Sequence, residues 1–109
     1  MKIQISKAQV RAKIDNAKEK MCWAISSEIM GDCNEYCKED SSDLIRSSLI
    51  KSEPGKGVIV WDTPYAKRQY WEIKTSLTPG RTWKWCETAK RKHKDQWQRK
   101  AQRRFLENL

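Results

Sequence analysis

The chain has few of the residues on which enzyme sites are usually built. It carries one histidine, His93, and four glycines, and contains no glycine-rich phosphate loop, nucleophile elbow or H-E-x-x-H pair. His93 lies in a basic stretch where Asp95 is the nearest acid, so no acid–base pair suggests itself. The reading is a non-enzyme with no catalytic residues and no cofactor. The sequence also lacks any apolar run of the roughly eighteen residues needed to span a bilayer. The opening MKIQISK is too polar for the apolar segment of a secretory leader. A soluble protein made in the cytoplasm, with no membrane partner, is therefore expected, and its four cysteines are expected to stay reduced.

C-x-x-C knuckles are absent as well. Cys33 and Cys37 share a helical face, and Cys86 and His93 share another, a set that could in principle offer four zinc ligands. Structural zinc normally uses tight knuckles, and cysteine often serves as a small buried apolar residue. The expectation is therefore no metal.

Positive charge is present in excess, and it is uneven. Thirteen Lys and Arg face eleven Asp and Glu up to Gly80, but ten face three from Arg81 onward, within a total net charge of +9. A basic tail of this kind seeks an anionic neighbour, either nucleic acid or an acidic protein face. Arg99, Lys100, Arg103 and Arg104 are its expected electrostatic face.

At 109 residues the chain is read as one domain spanning residues 1–109. Ile3 and Ile5 alternate with polar neighbours as in a short strand. From Ser6, a plausible N-cap, apolar residues recur at three and four positions through Val10, Ile14, Ala17, Met21 and beyond, predicting a long helix to about Tyr36. Residues 38–43 read as a loop and Leu44–Lys51 as a second strand. The SEPGKG turn at 52–57 should join that strand to the next as an antiparallel hairpin. After Thr78, Pro79 and Gly80, the positions Trp83, Cys86, Ala89, His93, Trp97, Ala101 and Phe105 mark a second amphipathic helix. The expected fold is α+β, in the order β-α-β-β-(β)-α, with a small antiparallel sheet packed against a long N-terminal helix and a basic C-terminal one.

The densest information lies in Gly57–Trp71. Val58, Ile59, Val60 and Trp61 favour a half-buried strand, which Pro64 should end because it has no amide hydrogen to donate. Beyond that corner come Tyr65, Lys67, Arg68, Tyr70 and Trp71, with a short further strand through Gln69–Ile73. Aromatic and arginine side chains gathered at an edge are typical interface anchors, so these five are the expected interface residues.

Several ordered motifs carry a family resemblance. They are Asp32-x-Asn34-x-Tyr36, the loop leading to Leu44 with Ser47 and Ser48, the run Val60-Trp61-Asp62-Thr63-Pro64-Tyr65-Ala66-Lys67-Arg68-Gln69-Tyr70, Trp85 with Ala89-Lys90, and the segment from His93 to Trp97. Together they resemble the minor capsid proteins encoded in the head–tail joining region of tailed phages and prophages of Gram-positive bacteria. The layout is more distantly similar to neck and tail-completion proteins. The chain departs from the pattern after Tyr36, where Cys37 and Ser41 or Ser42 stand in place of proline and glycine. The resemblance implies a virion structural protein that forms a ring in the neck after assembly in the host bacterial cytoplasm. Its implied partners are further copies of itself and the neighbouring head-completion, connector and tail proteins, with genomic DNA passing the lumen. A small basic nucleic-acid-binding accessory protein is the alternative.

Overall fold

The computed structural model describes residues 4, 6–38, 42–76 and 79–109. These residues form four α-helices: α1 (Lys7–Tyr36), α2 (Ser42–Lys51), α3 (Ala66–Trp71) and α4 (Trp85–Glu107), with a 3-10 turn at Pro54–Lys56. Among the described residues there is no β-strand, and the one β-type contact is an isolated antiparallel bridge between Glu53 and Val58. The expected α+β sheet is therefore replaced by a helical assembly. The strand assigned to Ile3 and Ile5 lies outside the described residues, as does Thr78 of the last turn signal.

The two long helices follow the apolar periodicity. Ser6 caps α1, its hydroxyl oxygen accepting from the Gln9 amide at 3.3 Å. The helix has 30 residues and extends about 45 Å at 1.5 Å per residue. α4 runs antiparallel to the second half of α1. Trp97 Nε1 donates to Asp32 Oδ2 at 2.6 Å, and Lys100, one turn further along α4, pairs with Glu28, one turn back on α1. The first turns of α1, from Lys7 to Lys13, stay exposed beyond this packing. That projection gives a radius of gyration of 17.9 Å, against the roughly 13 Å typical of a compact chain this long.

The segment 44–51 is a helix because its buried positions, Leu44, Ser47 and Ser48, fall three and four apart. Two of those three are serine, so they give no apolar signal. The hydroxyls of Ser47 and of Ser52, just past the helix, perform the task assigned to a strand partner. Ser47 Oγ accepts from the Asp62 amide at 3.0 Å, and Ser52 Oγ from the Val60 amide at 2.9 Å. Residues 59–62 are thus outside any regular element, with the Val60 and Asp62 amides hydrogen-bonded to side chains, and Val58–Trp61 has no ladder to join among the described residues despite its β-branched composition. The turn itself is present. Glu53 and Val58 exchange backbone bonds of 2.8 and 3.1 Å around Pro54–Lys56. Gly57 closes it at φ 72°, and a Cβ there would lie 3.0 Å from Cys22 Sγ on α1.

The expected strand at 69–73 is overturned too, since Ala66–Trp71 is helix α3 and Thr63-Pro64-Tyr65 forms the turn that enters it. The core consists of Cys33, Cys37, Leu44, Ala66, Trp85 and Ala89, with Trp61, Tyr65, Tyr70 and Trp97 packed around it. Trp85 is its centre, 1% exposed, with edge-on contacts to Trp61 at 5.9 Å and Tyr70 at 4.6 Å. Trp83, assigned to the buried face of the second helix, lies before α4 and is half-buried, and the apolar side of α4 packs on α1 in place of a sheet.

Candidate functional site

The end of the molecule where α1 finishes, α3 lies and α4 begins collects most of the unusual side chains. Arg81, in the loop before α4, donates through Nη1 to the carbonyls of Asn34 at 2.8 Å and Cys37 at 2.7 Å. Those are carbonyls at the C-terminus of α1, where a cation satisfies both the open acceptors and the helix dipole. Lys38 is 1% exposed, and its Nζ donates to Gln69 Oε1 at 3.1 Å and to the Ile73 carbonyl, tying the end of α1 to α3. Burying an ammonium this completely requires such partners. Lys38 and Arg81 passed unnoticed in the sequence because they sit in runs of other charged and polar residues.

Asn34 is the hub of this end. Its Nδ2 donates to Ser48 Oγ at 2.8 Å on α2, while its Oδ1 accepts from Trp61 Nε1 at 2.9 Å. The residues that carry the resemblance therefore hold the fold together. Asp32 orients Trp97, Asn34 joins α1 to α2 and Trp61, and the Tyr36 carbonyl accepts from the Thr82 amide at 2.9 Å.

Of the expected interface residues, Tyr65 and Tyr70 are half-buried and pack against the core, so they face inward more than the sequence suggested. Tyr70 donates from its hydroxyl to Glu87 Oε2. Burial, followed by that bond to Glu87, pushes the Tyr70 phenol well above its ordinary range. Lys67 and Arg68 are exposed on the outer face of α3, with Arg68 pairing to Glu72 at 3.7 Å, and Trp71 is 51% exposed. Beside them, an open cleft of about 310 Å³ is lined by Trp61, Lys67, Tyr70, Trp71 and Trp85 among others. Trp85 Nε1 is buried without a hydrogen-bond partner.

Lysine also gathers around the aromatics here. Lys84 Nζ lies 4.4 Å from the Trp83 ring and 5.7 Å from that of Trp71, and Lys74 Nζ lies 5.2 Å from Trp83. Lys84 itself adopts φ 45°, a left-handed conformation that costs a non-glycine residue about 1 kcal/mol. Its amide donates to the Tyr70 carbonyl at 3.0 Å, which fixes the start of α4 against α3.

The expected electrostatic face lies on α4, and much of it is engaged locally. Arg103 and Arg104 approach Glu107 at 3.7 and 3.9 Å, Arg99 Nε donates to the Asp95 carbonyl at 3.4 Å, and Lys100 pairs with Glu28. The exposed pairs of Arg103 and Arg104 contribute little stability, whereas Lys100 and Glu28 are half-buried. Cys33 and Cys37 are core residues, and Cys86 packs against them. The hydrogen bond between Cys33 and Cys86, followed by burial, pushes the Cys33 thiol up, and the same bond pulls Cys86 down. Among the described residues these thiols do not converge with His93 on a shared metal position.

The model of the minor capsid protein family matches residues 1–105, almost the whole chain. The chain belongs to the minor capsid protein family. It is accordingly a phage structural protein, associated with the virion. No curated protein and no solved structure matches it. No helix among its described residues is long and apolar enough to cross a membrane.

Proposed function

We propose that this minor capsid protein is a subunit of the head–tail connector, assembling as a ring in the neck and docking onto adjacent connector or tail rings. The observation that carries the reading is the cleft beside α3. Its walls include Trp71, half exposed, and Lys67, with Trp61, Tyr70 and Trp85 also lining it. A neighbouring subunit that inserted an apolar side chain there would cover the aromatic surface. A closed ring requires two different surfaces on each subunit. The exposed first turns of α1, at the opposite end of that helix from α3, supply the second. The family membership supports the virion setting.

Lys67, Arg68 and Trp71 are the residues assigned to docking, with Tyr65 and Tyr70 supporting them from beneath. Arg99, Lys100, Arg103 and Arg104 present the basic face to an acidic neighbouring ring or to passing DNA. Light scattering after size exclusion, at low and high salt and with and without random duplex DNA, tests the reading. A salt-resistant ring-sized species, or a monomer indifferent to DNA, agrees with the neck role. A monomer or dimer that binds duplex tightly at low salt and releases it at high salt supports the nucleic-acid-binding alternative.

A further inference from the structure

A second cluster lies between α1 and α4, apart from the docking cleft. One oxygen each from Asp32 and Glu35 and one ring nitrogen of His93 all lie within 4.8 Å of one another. Asp32 and Glu35 stand three apart on the last turns of α1 and so share a face, and His93 meets them from α4. We propose that these three side chains form a binding site for a divalent first-row transition ion of the zinc type, which staples α1 to α4.

Four features support the assignment. First, His93 Nε2 is buried with no hydrogen-bond partner, and an orphaned buried nitrogen of this kind calls for an explanation. Second, the other ring nitrogen, Nδ1, faces Gln96 Oε1 at 3.4 Å. A proton on Nδ1 donated to that oxygen leaves the Nε2 lone pair for a metal, the arrangement that outer partners impose on ligating imidazoles. Third, Asp32 already accepts from Trp97 Nε1 at 2.6 Å, which orients its carboxylate, and a carboxylate keeps further lone pairs for a cation. Fourth, two carboxylates and a neutral imidazole carry the charge that a divalent ion balances, and the mixed nitrogen and oxygen set suits zinc or its neighbours better than calcium.

The geometry requires a modest closure. Donors on a tetrahedral ion stand about 3.4 Å apart, and Glu35, exposed at the rim, has the freedom to swing in. Its exposure also leaves a side from which water can complete the coordination. The His93 ring lies between Tyr36, at 6.4 Å, and Trp97, at 6.3 Å, which limits its rotation.

The test is a titration of the full chain, stripped with chelator and kept reduced with a non-thiol reductant, with Co²⁺ followed by visible absorption. Saturating ligand-field bands at one equivalent, without thiolate charge transfer, are expected. Glu35→Gln, at an exposed position that leaves the metal-free melting temperature unchanged, should weaken binding on the order of tenfold or more. Zn²⁺ should raise the melting temperature of the parent chain more than that of this variant. A thiolate-to-cobalt band would put the metal on the cysteines and overturn the proposal. So would binding that Glu35→Gln leaves unchanged, or no binding at all.

Discussion

Asn34 and Trp61 are 27 residues apart in the chain, yet the Trp61 indole donates to the Asn34 side-chain oxygen at 2.9 Å while the same amide holds Ser48 at 2.8 Å. One side chain thereby joins α1, α2 and the segment that leads from the SEPGKG turn to α3. A fold without a sheet has to position that segment by other means, and Asn34 supplies much of them.

Asn34→Ala should therefore strand the Trp61 indole and release Ser48. The expected cost is about 2 to 3 kcal/mol, since a half-buried donor loses its acceptor. Urea unfolding should show a lower midpoint with an unchanged slope. Ser48→Ala, which removes the acceptor of Asn34 and the hydroxyl donated to the Ile45 carbonyl but leaves the Trp61 bond intact, should cost less, about 1 kcal/mol.

Arg81 acts on a different part of the same end. Replacing it with methionine keeps the aliphatic stem but removes the donor to the Asn34 and Cys37 carbonyls. A loss of about 2 kcal/mol is expected, because these are charge-assisted bonds at a helix C-terminus. Arg81→Lys should recover part of it, and the two variants can be ranked by thermal melting.

Alkaline pH should weaken the fold through Tyr70. Its phenol is held neutral by burial and by donation to Glu87, so its pKa in the folded chain lies above the unfolded value of about 10. Above that pH the unfolded chain loses the proton while the folded chain keeps it, so stability is complete below pH 10 and falls as pH rises. Urea midpoints measured from pH 8 to pH 11 should drop more steeply for the parent chain than for Tyr70→Phe.

The sequence revealed the two long helices well because their apolar positions repeat over many turns. Ser6 marked the start of α1, and the SEPGKG signal marked a real turn. The remainder failed for identifiable reasons. The buried face of α2 is mostly serine, so Leu44–Lys51 lacked a helical apolar stripe, and Ser47 and Ser48 act by hydrogen bonding. Val58–Trp61 has strand propensity but meets hydroxyls where a neighbouring strand was expected. Tertiary context overrode local preference there. At the site, the aromatic and basic run at 65–71 was visible, whereas the inward turn of Tyr65 and Tyr70 followed from α3 being a helix. Lys38, Arg81 and the meeting of Asp32, Glu35 and His93 depend on contacts between distant segments and left no local trace.

The outer face of α3 can be separated from the core by substitution. Lys67→Glu and Trp71→Ala alter exposed side chains and should leave the melting temperature within a few degrees of the parent, because exposed positions contribute little to stability. Infection complemented with either variant should nevertheless yield fewer joined particles, counted as filled heads without tails by electron microscopy. Tyr65→Ala confounds the two effects, since Tyr65 packs against the core.

The most direct test of the connector assignment is photo-crosslinking in infected cells with benzoylphenylalanine in place of Trp71, followed by mass spectrometry of purified particles. The account predicts crosslinks to a second copy of the chain or to a protein of the head–tail junction, within complete virions. A chain absent from finished particles, or crosslinked to DNA alone, would contradict it.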